Sequence, residues 1–416
     1  MWLVADRGVR LVAGVIVGLI VARYLGPGLF GELNATLALV AMAVPLAELG
    51  LDAIVRRRLI TSPGAGGALM ATTWKMRLSA ATFIYASILL YVAASGRSMN
   101  GELLLILGLL VFQPASLTAD LWLQSNLRSR VTVVTSWVAL AMGAGCRLAL
   151  VWWGAGLLAF GWVAVVEFAV GSGLLIWAAK RSGLPRMEGG VIWKEARELL
   201  ACCWMLLASK VAVMLYMKLD LVMIAVLAGE REAGMYAAAL RISEIGYVLP
   251  VALASSALPR LLKLKEAGGA AYARGAQAFY DINAAMAYAV VVPIVLFAQT
   301  IIEIAYGAEY ADAGPVLRWH ACAAVFVFLG VARSQLWVSE GRYALGLCTT
   351  LAGAACNVGL NLWWIPAHGA LGAAWATIVA YGVAAWGGTW LVRDAAIMQT
   401  RALLLPVIGW RYLKRK

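Results

Sequence analysis

The chain has 416 residues, of which 63% are hydrophobic and 13% charged, with a formal net charge of +13. Soluble domains are roughly 45–50% apolar and about 25% charged, so a soluble fold of this composition would leave far more apolar surface in water than it could bury; a bilayer is the solvent that suits it. The positive charge by itself would suit nucleic acid, but the cations lie in short loops between apolar runs rather than in one patch, which excludes that partner.

A helical crossing needs roughly 20 mostly apolar residues. In chain order such runs fall near 5–25, 32–56, 71–95, 102–123, 131–153 and 156–179, then near 198–228, 233–260, 275–305, 313–339, 343–365 and 370–392. Asp6, Arg7 and Arg10 lead straight into the first run, so no cleavable signal is expected. The expected fold is an all-α membrane protein of about 12 transmembrane helices. They form two pseudo-symmetric six-helix lobes around a central cavity, 1–180 and 198–392. A linker, 181–197, carries Pro185, Gly189 and Gly190, and a basic tail, 393–416, ends in Arg411, Lys414, Arg415 and Lys416.

The loop cations set the orientation. Arg56, Arg57, Arg58, Lys75 and Arg77 follow the second run, Arg128 and Arg130 the fourth, and Lys180, Arg181, Arg186, Lys194 and Arg197 the sixth. Arg260, Lys263, Lys265 and Arg274 follow the eighth, and Arg342 the tenth. The intervening loops hold only Arg23, Arg97 and Arg231. Every even-numbered loop is basic, which predicts two cytoplasmic termini. The chain also repeats itself: Gly26 and Gly31 follow the first run as Gly229 and Gly234 follow the seventh, with Ala35 and Leu37 in step with Ala238 and Leu240. Two halves that both enter from the cytoplasm imply lobes related by an axis along the membrane normal.

Ionisable residues inside spans are costly and default to functional candidates. Lys210 has no acidic residue one turn away on its own helix and is expected to act on a ligand. Arg241 and Glu244 share a face of the eighth run, where internal pairing is the alternative. With Arg10, Arg147 and Arg333 these cations are expected to line a water-filled cavity that attracts an anion such as a diphosphate. Glu48 and Asp52, at i and i+4 in the second run, are candidate ion-coupling carboxylates with Asp220 and Glu244; a salt bridge from Glu48 and Asp52 to Arg7 and Arg10 is the favoured structural reading. Trp137 and Trp204 lie deep enough to stack on sugars, whereas Trp363 and Trp364 suit an interfacial belt. Gly14 and Gly18 suggest a close helix contact. The six cysteines sit in apolar runs without a C-x-x-C pair, and His320 and His368 are far apart, so neither a metal nor a cofactor is expected. No phosphate-binding glycine loop, exposed D-x-D pair or long outer loop is present, which speaks against catalysis.

Three stretches carry a family resemblance: Ala22 to Gly31 with Leu49 to Asp52; Leu219 to Gly229 with Gly234 to Pro250 and Pro259; and Asn357 to Asn361 with Pro366, Gly369 and Gly372 to Thr377. In this order and spacing the chain resembles the polysaccharide biosynthesis flippases, the Wzx-like translocases of the multidrug/oligosaccharidyl-lipid/polysaccharide (MOP) exporter superfamily. The resemblance implies a V-shaped pair of six-helix lobes in a bacterial inner membrane. It implies a cationic cavity that binds the diphosphate and first sugars of an undecaprenyl-linked oligosaccharide, an O-antigen or exopolysaccharide repeat unit, and carries it to the outer leaflet by alternating access. A polysaccharide polymerase and glycosyltransferases are the protein partners it implies. The alternatives are a multidrug exporter of the same superfamily, disfavoured because deep cations outnumber deep acids, and a membrane glycosyltransferase or polymerase acting on the same carrier.

Overall fold

The structure, a computed structural model, describes residues 2–61, 66–94, 101–185, 193–266 and 268–404. Among the described residues every element is helical, because apolar segments of this length can satisfy their backbone groups in lipid only internally. The chain runs α1 (Trp2–Glu48), α2 (Asp52–Thr61), α3 (Gly66–Ala94), α4 (Gly101–Gly108), α5 (Gln113–Ser116), α6 (Thr118–Ser125), α7 (Ser129–Trp152) and α8 (Leu157–Arg181). Then come α9 (Trp193–Leu227), α10 (Glu230–Ser243), α11 (Val248–Glu266), α12 (Gly269–Tyr306), α13 (Ala313–Glu340), α14 (Tyr343–Tyr381) and α15 (Arg393–Leu403).

Ten stretches among the described residues are long and apolar enough to cross a membrane. Two of them, Gly8–Thr61 and Ala344–Leu391, run to 54 and 48 residues, far longer than one crossing of roughly 20. Each is broken by a glycine at positive φ, Gly26 (φ 70°) in α1 and Gly369 (φ 55°) in α14. The described residues thus give ten spans where the sequence predicts about 12, and each of the two long stretches contains two of the predicted runs, one on either side of its glycine. Gly26 (φ 70°, ψ 170°) and its counterpart Gly229 (φ 96°, ψ 169°) share one backbone conformation, as the repeat suggests.

The second run ends earlier than its hydropathy suggests. Helix α1 stops at Glu48, Leu49 and Gly50 take positive φ (57° and 66°), and Asp52 opens the separate helix α2. Glu48 and Asp52 therefore do not share one helix face. Helix α2 buries Val55 and Leu59 in a core with Leu69, Met70, Leu121, Leu199 and Cys203, and the three arginines between them are half-buried or exposed. The expected tail also begins as structure: α15 buries Ala396, Gln399 and Ala402, and Ala402 joins a core formed by Phe279, Tyr280, Phe328, Leu329 and Leu336. The rest of the tail, 405–416, and Arg186, Gly189 and Gly190 of the linker lie outside the described residues.

The chain divides into two compact units, 1–222 and 223–416. The division falls inside α9 rather than in the 181–197 linker, because Ala196, Leu199 and Cys203 of α9 pack into the core beneath α2. Of the Gly14 and Gly18 pair, Gly18 is buried, whereas nothing approaches within 4 Å of the position a Cβ would take on Gly14.

Candidate functional site

The N-terminal unit gathers four ionised side chains where α1 gives way to α2. Lys210 Nζ on α9 lies 2.7 Å from Glu48 Oε2 and also bonds Asp52 Oδ2. On its other oxygen Asp52 accepts a bond from Arg77 Nη2 of α3 at 2.5 Å. Arg77 is 1% exposed and donates from Nη1 to the Pro114 carbonyl at 3.1 Å and the Thr118 hydroxyl at 3.4 Å. Two cations and two carboxylates thus alternate around one point. Lys210 remains 39% exposed, so the cluster is open to the surroundings on the lysine side and closed on the arginine side.

The local chain path makes this possible. A Cβ on Gly50 would stand 2.8 Å from the Leu207 nitrogen and 3.0 Å from the Cys203 carbonyl oxygen, so only glycine lets the turn press against the α9 backbone one turn below Lys210. Positive φ at Leu49 and Gly50 breaks the helix between Glu48 and Asp52, and both carboxylates still reach Lys210. The pairing within this cluster differs from the one read along the sequence. Lys210 has two acidic partners, which a search of its own helix could not find because they come from residues 158 and 162 positions away. Glu48 and Asp52 do not pair with Arg10, and the Arg7 side chain lies outside the described residues. Arg77, the most buried member, was read as a loop cation, although it stands eleven residues inside the apolar helix α3; its depth was the available signal.

A second group of polar side chains lines a cavity of ≈ 310 Å³ inside the same unit, walled by α1, α7 and α8. Arg10, Arg147 and Glu167 all reach it, with Gln113, Ser136 and Ser172. Arg147 Nη1 pairs with Glu167 Oε2 at 2.7 Å, and Arg10 Nε pairs with Asp6 at 3.1 Å. Ser136 bridges that second pair, donating to Asp6 Oδ1 at 2.9 Å while accepting from Arg10. Arg10 and Arg147 thus line one cavity, each with a carboxylate beside it. Arg147 is neutralised across helices by Glu167 of α8 and Arg10 within α1 by Asp6 one turn before it, the usual answer to burying ions in lipid.

The remaining candidates are distributed. Asp220, on α9, is buried at 6% exposure. Arg241 and Glu244 are half-buried where α10 passes into a 3-10 turn, Glu244–Tyr247. Arg333, expected to line a cavity, is 5% exposed; it donates to the Ala384 carbonyl of a π-helical turn, Gly382–Trp386, and stacks over the Trp337 ring with 4.4 Å to its centroid. Among deep tryptophans Trp204 is well exposed and Trp137 half-buried. His320 is buried and hydrogen-bonds the Ser243 hydroxyl at 2.7 Å. Among the described residues no group of three or more His, Cys, Asp or Glu is placed to hold a metal.

Comparison with solved structures identifies the fold. The lipid II flippase MurJ in an inward closed conformation superposes with a TM-score of 0.75 at 13% identity, covering 98% of this chain and 92% of that one. An inward-facing multidrug resistance MATE family transporter of the MOP superfamily gives 0.71 at 16% identity over 94% and 96%. A MOP superfamily transporter from Pyrococcus furiosus gives 0.62 at 17% identity over 96% and 94%. These neighbours are transporters and a flippase, not enzymes, and the chain is a multi-pass membrane protein of that fold. A search of curated protein sequences gives no match. The family model described as polysaccharide biosynthesis protein matches residues 2–265, well over half of the chain, and the protein belongs to that family.

Proposed function

We propose that the protein flips an undecaprenyl-diphosphate-linked oligosaccharide, an O-antigen or exopolysaccharide repeat unit, from the cytoplasmic to the outer leaflet by alternating access. The observation that carries this reading is the polysaccharide-biosynthesis family match on a MurJ-like fold. In this reading the protein lies in a bacterial inner membrane with both termini cytoplasmic, as the alternating basic loops favour. Its lobes are 1–180 and 198–392, joined by the 181–197 linker and followed by the 393–416 tail, and it works beside glycosyltransferases and a polysaccharide polymerase.

The charge pattern favours an exchange of partners. A diphosphate headgroup is too costly to carry through hydrocarbon unescorted, and Lys210 is the one deep cation of the N-terminal cluster that is more than a third exposed. It already holds two carboxylates, so the diphosphate competes with Glu48 and Asp52 for the ammonium. Those carboxylates, with Asp220 and Glu244, are then the groups available to an ion that couples transport. Arg241, Arg10, Arg147 and Arg333 complete the proposed set of cations along the route.

The test is translocation by the purified protein in proteoliposomes loaded with lipid-linked oligosaccharide, read as the fraction of glycan accessible to an added glycosidase. Protein-dependent movement of the intact substrate, with no new glycosidic bond formed, is expected. Absence of movement together with efflux of cationic drugs would replace this reading with that of a multidrug exporter, which the MATE likeness makes the second candidate.

A further inference from the structure

The polar cavity of the N-terminal unit, ≈ 310 Å³, lies beside a break in the fourth apolar run. Helix α4 ends at Gly108, a 3-10 turn covers Leu109–Phe112, and Pro114 follows in α5, so Gln113 sits near the middle of the Gly101–Ser125 span on irregular backbone. Irregular backbone at that depth is tolerated where it lines a cavity. Gln113 is exposed to this one, and its side-chain amide bonds no other described residue. The facing wall is closely built: a Cβ on Gly143 of α7 would fall on the Glu167 carboxylate, so the glycine gives that side chain its seat beside Arg147.

The charges at this cavity cancel, since the guanidinium groups of Arg10 and Arg147 are paired with Asp6 and Glu167. An anion entering here is repelled by the carboxylates as it is drawn to the guanidinium groups, and a cation meets the reverse. The hydroxyls donate elsewhere: Thr135 to the Val131 carbonyl at 3.1 Å, Ser136 to Asp6 at 2.9 Å and Ser172 to the Ser116 hydroxyl at 2.8 Å. Their oxygens keep acceptor capacity, while the guanidinium groups and the Gln113 amide supply donors. Half-buried Phe168, with Leu110 and Ala164, adds an apolar side. A ligand that donates and accepts along its edge, carries no charge and presents C–H groups on its face is a sugar ring. The space lies at the small end of the roughly 300–1,000 Å³ typical of ligand sites. We propose that this cavity binds an uncharged sugar residue of the transported glycan, with Gln113 and Ser172 reading its hydroxyls and Phe168 against its ring. The inference rests on the flippase reading and narrows it. Arg10 and Arg147 act here as hydrogen-bond donors rather than as net positive charge, and the sugar they meet is neutral rather than a uronic acid.

The test is equilibrium binding of the full chain in detergent to undecaprenyl diphosphate carrying glucose or galactose, to the same carrier with glucuronic or galacturonic acid, and to the bare carrier. In at least one matched pair the wild type is expected to bind the neutral form about tenfold more tightly than its acid, the worth of a single net hydrogen bond. Glu167→Gln, which leaves Arg147 without its carboxylate, is expected to erase or reverse that preference. Gln113→Ala/Ser172→Ala is expected to weaken binding of the neutral form about tenfold, and Ala164→Phe to do the same by filling the space. The variants are read in protein that extracts as a monodisperse species, and they alter three different helices. Equal binding of neutral and acidic forms in both pairs would overturn the proposal, as would a preference that Glu167→Gln leaves intact, or neutral binding undiminished in both the double variant and Ala164→Phe. If glycosylated and bare carriers bind alike, the flippase reading stands and this sugar site falls. If no carrier binds, bare or glycosylated, the reading and the inference fall together.

Discussion

Lys210 and Glu48, 162 residues apart in the sequence, are joined by a 2.7 Å ion pair, and Asp52 extends that pair to the buried guanidinium of Arg77. The two cations of this chain of charges differ sharply in burial, and the difference decides what each contributes. Arg77→Ala removes a 1%-exposed cation, leaves Asp52 to Lys210 alone and leaves the buried Pro114 carbonyl and Thr118 hydroxyl without that donor, a loss of about 1–3 kcal/mol. Lys210 is 39% exposed, where a single pair contributes about 0.2–1 kcal/mol. Thermal unfolding in detergent is expected to show a large loss for Arg77→Ala and a small one for Lys210→Ala; equal losses would contradict this division.

Export separates the same residues in the opposite order. If a diphosphate competes for Lys210, Lys210→Ala abolishes glycan export at near-normal protein level and Lys210→Arg retains part of it. Glu48→Gln removes one of the two carboxylate charges that hold the lysine and is expected to keep or strengthen substrate binding. Export by Lys210→Ala at the wild-type rate would remove this residue from the route.

Gly50 is held by two independent constraints, its φ of 66° and the α9 backbone at 2.8 Å from any Cβ. Positive φ at a non-glycine residue alone costs about 1–3 kcal/mol. Gly50→Ala should therefore lower the melting temperature of the full chain measurably, and Gly50→Val more so. Gly14→Ala, with open space around it, should change nothing. A neutral Gly50→Val would show that the turn is free to move away from α9.

In the C-terminal unit, Glu232 Oε2 accepts a 2.8 Å bond from the Ala370 amide, immediately after the bend at Gly369. A carboxylate at a helix start satisfies an orphan N–H and meets the positive end of the helix dipole. Glu232→Ala is expected to cost about 0.5–2 kcal/mol, read in a detergent melt. Gly369→Leu is expected to cost more, because its Cβ would fall on the Glu232 carboxylate. If Glu232→Ala melts with the wild type, the bend is maintained without this cap.

Orientation has its own readout. Reporter fusions after Gly307 should lie outside and fusions after Gly268 inside. Reversal of both would overturn the cytoplasmic placement of the termini and the helix count behind it.

The amino-acid sequence alone determined the solvent, the element type and the place of several spans, because the hydrophobic length needed to cross a bilayer is a local property of the chain. The runs read near 131–153, 275–305 and 313–339 became α7, α12 and α13 with ends shifted by only a few residues. The glycine repeat was equally legible, since Gly26 and Gly229 occupy a conformation that few other residues tolerate. Partner choice was not legible. Lys210 looked unpaired, Glu48 and Asp52 looked like one helix face, and Arg77 looked like a loop cation, because charge pairing in lipid is settled between helices far apart in the sequence. Only the tertiary structure placed the break at Leu49 and Gly50, seated that turn against α9, and so brought opposite charges from four separate helices to one point.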